Sequence, residues 1–288
     1  MDTAVSQSEW TWKSAYPAPA KINLFLHVTG RRADGYHLLQ TAFRMLDRCD
    51  MLSFRPRDDG RVVCERLLPG VPEQADLCWR AAQLLREASG CRDGVSITLD
   101  KCLPMGGGLG GGSSDAATVL LALNHLWRLG VSRQDLQALA LRLGADVPFF
   151  VYGRTAIAQG VGELFEAFSP EPRWYLVLEP GVGVPTAEIF SAEDLTRNSE
   201  PAKIADFSET SCRNDLQPVV CRRYREVADA LECLAGYKGA LMSGSGACVF
   251  APFATQGEAV HALQALPPGC VGWVARGLDE HPLHGLAS

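Results

Sequence analysis

Between Gly106 and Gly112 six of seven residues are glycine, and Ser113 and Ser114 follow at once. Such a run has almost no Cβ atoms, so it can adopt left-handed backbone and let a ligand approach its N–H groups closely. Before it, Val95, Ile97 and Leu99 alternate with polar residues, the period of a strand. After it, AATVLLALNHLWRL carries a helical pattern that stops at Gly130. Strand, glycine loop and helix N-terminus make an anion-binding arrangement, because the first amides of a helix lack partners and carry about half a positive charge. With the helix expected to start near Ser114, Ser113 and Ser114 can cap it, bind phosphate, or help hold a magnesium ion.

Which anion follows from what the loop lacks. No lysine closes it, which excludes a Walker A motif. Gly106, Gly108 and Gly111 satisfy the dinucleotide pattern G-x-G-x-x-G, but a glycine-saturated loop does so almost by chance. The preceding strand alternates, whereas a central parallel strand is apolar throughout. The nearest suitable acid, Asp135, falls in a helix cap and not at the end of a second strand. A flexible linker is the remaining reading, and linkers rarely sit tight between a strand and an apolar helix.

Elsewhere the elements are mixed. KINLFLHV (Lys21 to Val28) reads as a half-buried strand, with Ile22, Leu24, Leu26 and Val28 on one face and Lys21, Asn23, Phe25 and His27 on the other. Met51 to Glu65 reads as a hairpin turning at Asp59-Gly60. Asp76 to Ser89 reads as a helix closed by Gly90, and Ser132 with Asp135 as the capped start of one that ends at Gly144. Later strands are expected at Trp174 to Glu179, Ala247 to Ala251 and Val271 to Arg276, with helices at Arg222 to Leu234 and Thr255 to Leu266. No βαβ rhythm links them, so the expected fold class is α+β, in two domains with a shared cleft. A chain of 288 residues has room for that.

Composition narrows the partners. A net charge of -6 argues against general nucleic-acid or anionic-membrane binding. The longest apolar stretch, Ala116 to Leu123, falls short of the ~20 residues that span a bilayer. The opening MDTAVSQSEWTWKS has neither the basic start nor the apolar run of a signal peptide and reads as a loosely ordered extension. Ten cysteines without a C-x-x-C pair read as reduced thiols of a cytoplasmic protein. His281 and His284 read as a solvated tail and not as a metal site.

PMGGGLGGGSSDAA resembles the phosphate loop of the GHMP kinases, the family of galactose, homoserine, mevalonate and phosphomevalonate kinases. PAKINLFL (Pro19 to Leu26) resembles that family's first motif and SGSGAC (Ser243 to Cys248) its third, in the right order. PAKINLFLHVTGRRADGYH, the doubled GGGLGGGSS, LGADVPFFVYG (Leu143 to Gly153) and PTAEIF (Pro185 to Phe190) are similar to one branch of the family. That branch acts on 4-diphosphocytidyl-2-C-methyl-D-erythritol in the non-mevalonate route to isoprenoids. The N-terminal extension, and Ser243 where threonine is common, are small departures.

The resemblance implies a two-domain GHMP-kinase fold with the active site in the inter-domain cleft. Residues 1–160 would bind ATP and carry catalysis, and residues 161–288 would form a ferredoxin-like, substrate-binding domain. The implied reaction moves the γ-phosphoryl group of ATP, with Mg2+, to the 2-hydroxyl of that small molecule; the alternative is a GHMP kinase acting on a sugar or amino alcohol. ATP would lie on Pro104, Met105, Gly106, Gly107, Gly108, Leu109, Gly110, Gly111, Gly112, Ser113 and Ser114. Asp146 stands on a turn between Gly144 and Pro148, where aspartate is common and catalytic side chains are often presented. By resemblance Asp146 is the base, with Lys21 either holding it ionised or acting on phosphate. Asn23 shares the face of Lys21 and suits a polar substrate contact. Carried over likewise, Tyr36, His37 and Phe190 contact the cytosine: two rings sandwich the base and His37 bonds its edge.

Overall fold

A pair of long antiparallel strands, β1 (Ala15–Arg31) and β2 (His37–Arg57), forms the spine of the molecule. The computed structural model describes residues 10–33, 35–65, 71–203, 207 and 212–288. Register slips in β1 at Pro19/Lys21, Asn23/Phe25 and Val28/Gly30 mark bulges. A bulge reverses which face the following side chains take. Ile22, Leu24 and Phe25 therefore share one apolar cluster, while Leu26 and Val28 enter another. The single half-buried face expected from the alternation is corrected: every residue from Ala18 to Val28 is buried. Alternation reports a strand, but not that layers will cover both of its sides.

The expected Met51 to Glu65 hairpin is also corrected. Asp59-Gly60 does turn the chain, with Gly60 at φ +67°. Yet β3 (Val62–Cys64) pairs in parallel with β4 (Gly94–Asp100), and it is β4 that lies antiparallel to β2. The longer strand wins the place because it brings Val95 and Ile97 against Leu52 and Phe54 in the main core. Beyond β2 the order continues through β10 (Gly272–Leu278), β7 (Trp174–Leu178), β9 (Val249–Phe253) and β8 (Leu241–Met242). A hairpin of β5 (Ala156–Gln159) and β6 (Leu164–Ala167), absent from the sequence reading, pairs with β2.

The helices divide into two groups, which makes the α+β, two-domain expectation visible. α1 (Leu77–Ser89), α2 (Gly111–Leu126), α3 (Arg133–Leu141) and α4 (Val147–Tyr152) build the first core with β2 and β4. α5 (Thr186–Phe190), α6 (Gln217–Arg223), α7 (Arg225–Cys233) and α8 (Gln256–Gln264) flank β7 and β9. Asp76 caps α1 through the amides of Cys78 and Trp79, and Thr255 caps α8 in a capping box with Glu258. The single helix expected over Arg222 to Leu234 is instead split at Tyr224, which is extended at φ -125° and ψ 98°. No proline or glycine marks that break in the sequence.

The two chain ends depart from expectation as well. Residues 1–9 lie outside the described residues, but Trp10 and Trp12 already pack on the first core. His281, read above as part of a solvated tail, is 2% exposed, and Leu283 and Leu286 join the same core. Its backbone N–H donates to Gly153 O at 2.9 Å and its Nδ1 accepts from Leu283 N at 3.0 Å. Burial, with His284 and Arg133 nearby, pushes the His281 pKa down to about 3. Two apolar residues in a short polar segment give no period from which such burial can be read. All ten cysteines are free thiols, with Cys233 Sγ and Cys270 Sγ 2.9 Å apart. Among the described residues no helix is long and apolar enough to cross a membrane.

Candidate active site

Three segments far apart in sequence cross at Gly108. Its carbonyl accepts from Lys21 Nζ at 2.9 Å and from Ser243 Oγ at 3.0 Å. On either side, Lys21 N donates to Leu109 O at 2.8 Å and Cys248 N to Gly107 O at 3.0 Å. Gly108 has φ +74°, and an added Cβ would overlap the carbonyl oxygen of Ser243 and stand 2.9 Å from that of Gly246. Here glycine is required twice over, by the left-handed backbone and by the close crossing.

The loop amides are set for an anion. Positive φ at Gly106, Gly108 and Gly110 alternates with ordinary values between them, the arrangement that turns successive N–H groups into one concavity. α2 begins at Gly111 rather than near Ser114, with Gly110 at the N-cap and no side chain capping it. The amides of Gly111, Gly112 and Ser113 are therefore the unsatisfied ones of the first turn, whereas Ser114 N already donates to Gly110 O at 2.8 Å. Neither serine caps the helix. Ser113 lines the cleft; Ser114 is fully buried behind it, and its Oγ has no partner.

A cleft of about 950 Å³ runs from this loop across the junction of the two helix groups. Every other residue expected at the site lines it: Lys21, Asn23, Tyr36, His37, Asp146, Phe190 and the loop from Pro104 to Ser113. Asp146 takes the N-cap position of α4 but makes no capping bond, so its carboxylate is available to the cleft. Lys21 Nζ lies 3.3 Å from Asp146 Oδ2 and also donates to Asn23 Oδ1 at 2.7 Å. With Gly108 O, that gives the ammonium two hydrogen bonds and one ion pair, and Phe43 lies under the charge at 5.3 Å. Lys21 is 3% exposed and Asp146 35%, so the cation is fixed while the carboxylate faces the cleft. Asn23 in turn donates to Thr41 Oγ1 at 2.9 Å.

Beneath the loop lies a group that the sequence reading missed. Asp50 accepts from the amides of Cys102 and Leu103 at 2.6 and 2.7 Å and pairs with Lys101. Lys101 Nζ also pairs with Asp115, the fifth residue of α2, at 2.8 Å. One ammonium so fastens the segment that leads into the loop to the helix that leaves it. Burial lowers the Lys101 pKa, but Asp115 and Asp50 outweigh that and its net shift is upward. Burial raises the Asp115 carboxyl to about 7, which Lys101 only partly offsets. The signal was present as unplaced charges flanking the glycines, without a period to say that they meet.

At the other end of the cleft the structure pairs rings differently from the expected sandwich. His37, at the start of β2, packs on Phe190 with ring centroids 5.1 Å apart and planes at 34°. Tyr36 lines the mouth at 66% exposure, and its neighbour Asp34 lies outside the described residues. Burial, then the Arg197 and Arg31 charges, hold the His37 pKa below its ordinary value. Arg197, not foreseen, donates from Nε to His37 Nε2 at 3.2 Å.

Comparison with known proteins bears on the family and the fold. Two family models match, described as GHMP kinases N terminal domain over residues 76–154 and GHMP kinases C terminal over residues 192–269. The 4-diphosphocytidyl-2-C-methyl-D-erythritol kinase of Thiobacillus denitrificans is 61% identical over 270 residues, covering 94% of this chain and 97% of that protein. Its counterpart in Aromatoleum aromaticum is 56% identical over 285 residues, covering 99% of both. A crystal structure of 4-(cytidine 5'-diphospho)-2C-methyl-D-erythritol kinase matches with TM-score 0.81 at 37% identity, over 92% of this chain and 99% of that one. A homoserine kinase from Cytophaga hutchinsonii shares the fold, with TM-score 0.65 at 18% identity over 93% of this chain and 94% of its own.

Proposed function

The chain belongs to the GHMP kinases, and on that premise we propose that it transfers the γ-phosphoryl group of ATP to the 2-hydroxyl of 4-diphosphocytidyl-2-C-methyl-D-erythritol, with Asp146 as base. One observation carries the assignment of roles: the Lys21–Asp146 pair stands in the same cleft as the glycine loop on one side and the His37–Phe190 pair on the other. The loop amides from Gly106 to Ser113 hold the phosphates. Asp146 accepts the proton of the attacking hydroxyl, a contribution of about 10²- to 10⁴-fold in rate. Lys21 keeps that carboxylate placed and, through Gly108 O, ties its position to the loop. Phosphoryl transfer asks mainly for alignment and charge stabilisation, which this set provides.

Mg2+ is part of the proposal. When bound it neutralises charge on the transferring phosphates. The chain offers it hard oxygen donors on the cleft, namely the Asp146 carboxylate and the Ser113 hydroxyl, whereas Ser114 lies behind the loop. We place the ATP-binding domain at residues 1–160 and the substrate domain at 161–288, with the segment around Leu283 and Leu286 returning to the first core. Ten free thiols support a cytoplasmic location.

The test is ADP release by the purified protein with ATP, Mg2+ and the cytidine substrate, beside a galactose, homoserine and mevalonate panel. Turnover with the cytidine compound alone is the expected result. Turnover only with a panel alcohol would move the chain to another branch of the family, and ATP binding with no turnover at all would remove the catalytic reading.

A further inference from the structure

We propose that Arg197 is a positioning residue: it locks His37 as the Nδ1-protonated imidazole against Phe190, so that the cytidine end of the substrate meets a fixed hydrogen-bond donor. The inference rests on the cytidine-substrate reading above.

The argument starts from a donor inventory. A guanidinium has five N–H donors and no acceptor. Arg197 spends two of its nitrogens on the stretch that ends α5: Nη1 donates to Leu195 O at 3.1 Å, and Nη2 to Phe190 O at 3.2 Å and to Ala192 O. Of these acceptors Phe190 O is the last carbonyl of α5, one that the helix itself leaves without a partner and the guanidinium supplies. This holds Phe190 in place from behind. The remaining nitrogen, Nε, donates to Nε2 of His37, the ring packed against Phe190, at 3.2 Å. One side chain thus ties both members of the ring pair.

The bond also decides a proton. Arg197 Nε cannot accept, so His37 Nε2 must, and a neutral imidazole then carries its hydrogen on Nδ1. An imidazolium would set an N–H against the Arg197 N–H. Among the described residues the charged groups facing the ring are Arg197 and, from the end of β1, Arg31; Tyr36 is its chain neighbour. Both arginines oppose protonation, in addition to burial. No hydrogen bond of Nδ1 to another described residue exists. The ring therefore offers the cleft one donor, suited to an acceptor on the edge of a flat base such as a ring nitrogen or carbonyl. The other tautomer would set a lone pair against that acceptor.

Two variants and a proton measurement test this. Arg197→Gln removes the charge and the fork, and Arg197→Lys keeps the charge without the fork. We expect KM for the cytidine substrate to rise about tenfold to a hundredfold in each, the scale of one mismatched polar contact, while KM for ATP moves less than about threefold. In a His37→Asn background Arg197→Gln should add clearly less than it costs alone, because the part that acts through His37 is already gone and only the tie to Phe190 is left. In the free wild-type protein, 15N–1H correlation of the imidazole should show His37 neutral with the proton on Nδ1 at pH 7, and Arg197→Gln should mix the tautomers and raise the pH at which the ring charges. A proton on Nε2, an imidazolium at pH 7, equal losses for both substrates, or additive losses in the double variant would overturn the proposal. If the Gln variant does not fold, the Lys variant and the wild-type spectrum still decide. Should the wild type show no turnover with the cytidine compound, the functional reading falls, while the spectrum independently judges the Arg197–His37 pairing.

Discussion

In the proposed function the two ends of the cleft hold their ligands by different physical means. At the phosphate end the binding groups are backbone amides, set by three left-handed glycines and pinned where Lys21, Gly108 and Ser243 cross. At the proposed base end they are side chains, His37 and Phe190, at the first residue of a strand and on a five-residue helix, tied together by Arg197. Backbone sites lose function when a Cβ is added, whereas side-chain sites lose it when one is trimmed. The first kind serves any nucleoside triphosphate. On the proposed reading the second selects among alcohols, which is where members of one family can differ without changing the fold.

That contrast can be broken or sharpened in order of expected size. Asp146→Asn should lower kcat by about 10²- to 10⁴-fold in the ADP-release assay. Lys21 remains held by Asn23 and Gly108, so ATP affinity should change only a few-fold; an equal loss of ATP binding would show that the pair supports the loop rather than the chemistry. Gly108→Ala should come next, destabilising the protein by about 2–4 kcal/mol in urea unfolding and raising KM for ATP, because a left-handed alanine and a backbone overlap are both imposed. A folded, fully active alanine variant would refute the crossing as a constraint.

The buried end of the chain packs on Gly153, directly after the helix that presents Asp146. The folded pKa of His281, about 3, lies below the unfolded value of about 6.5. The neutral ring is therefore favoured by folding: its contribution is fully present above pH 6.5 and is lost as pH falls from there towards 3. From pH 7 to pH 5 the wild type should lose about 2 kcal/mol through this group, and His281→Asn should flatten that slope. Equal slopes for the two proteins would exclude a buried neutral His281. Smallest, Phe190→Ala should raise KM for the cytidine substrate about tenfold through lost stacking and burial, near 1.4 kcal/mol, with KM for ATP unmoved. A comparable rise in both constants would mean that the two ends are not separate.

How much of this was legible depends on whether the signal is local. The glycine run, the Asp76 and Thr255 caps and the turn at Asp59-Gly60 follow from short-range rules and were readable. The partner strand of β2 was not, because Met51 to Glu65 carries an adequate hairpin pattern and only the burial of Val95 and Ile97 awards the place to β4. The bulges of β1 were invisible for the same reason, since its residues suit either face once both are covered. Arg197, Lys101, Asp50 and Asp115 were missed because a charge in isolation reads as solvated surface, and nothing in the chain states that it will meet its partner.

By itself, then, the sequence determined that an anion-binding loop stands between a strand and an apolar helix, and its motifs carried the family and the identity of Asp146 and Lys21 as residues to watch. Those are statements about backbone freedom and residue type, which act over a few positions. What only the tertiary structure decided is how the site is closed: the threefold use of the Lys21 ammonium, the crossing at Gly108, the Lys101 buckle under the loop and the Arg197 link between His37 and Phe190. Each joins groups distant in sequence. Their interaction exists only when burial excludes water and leaves every buried donor and acceptor one another to satisfy.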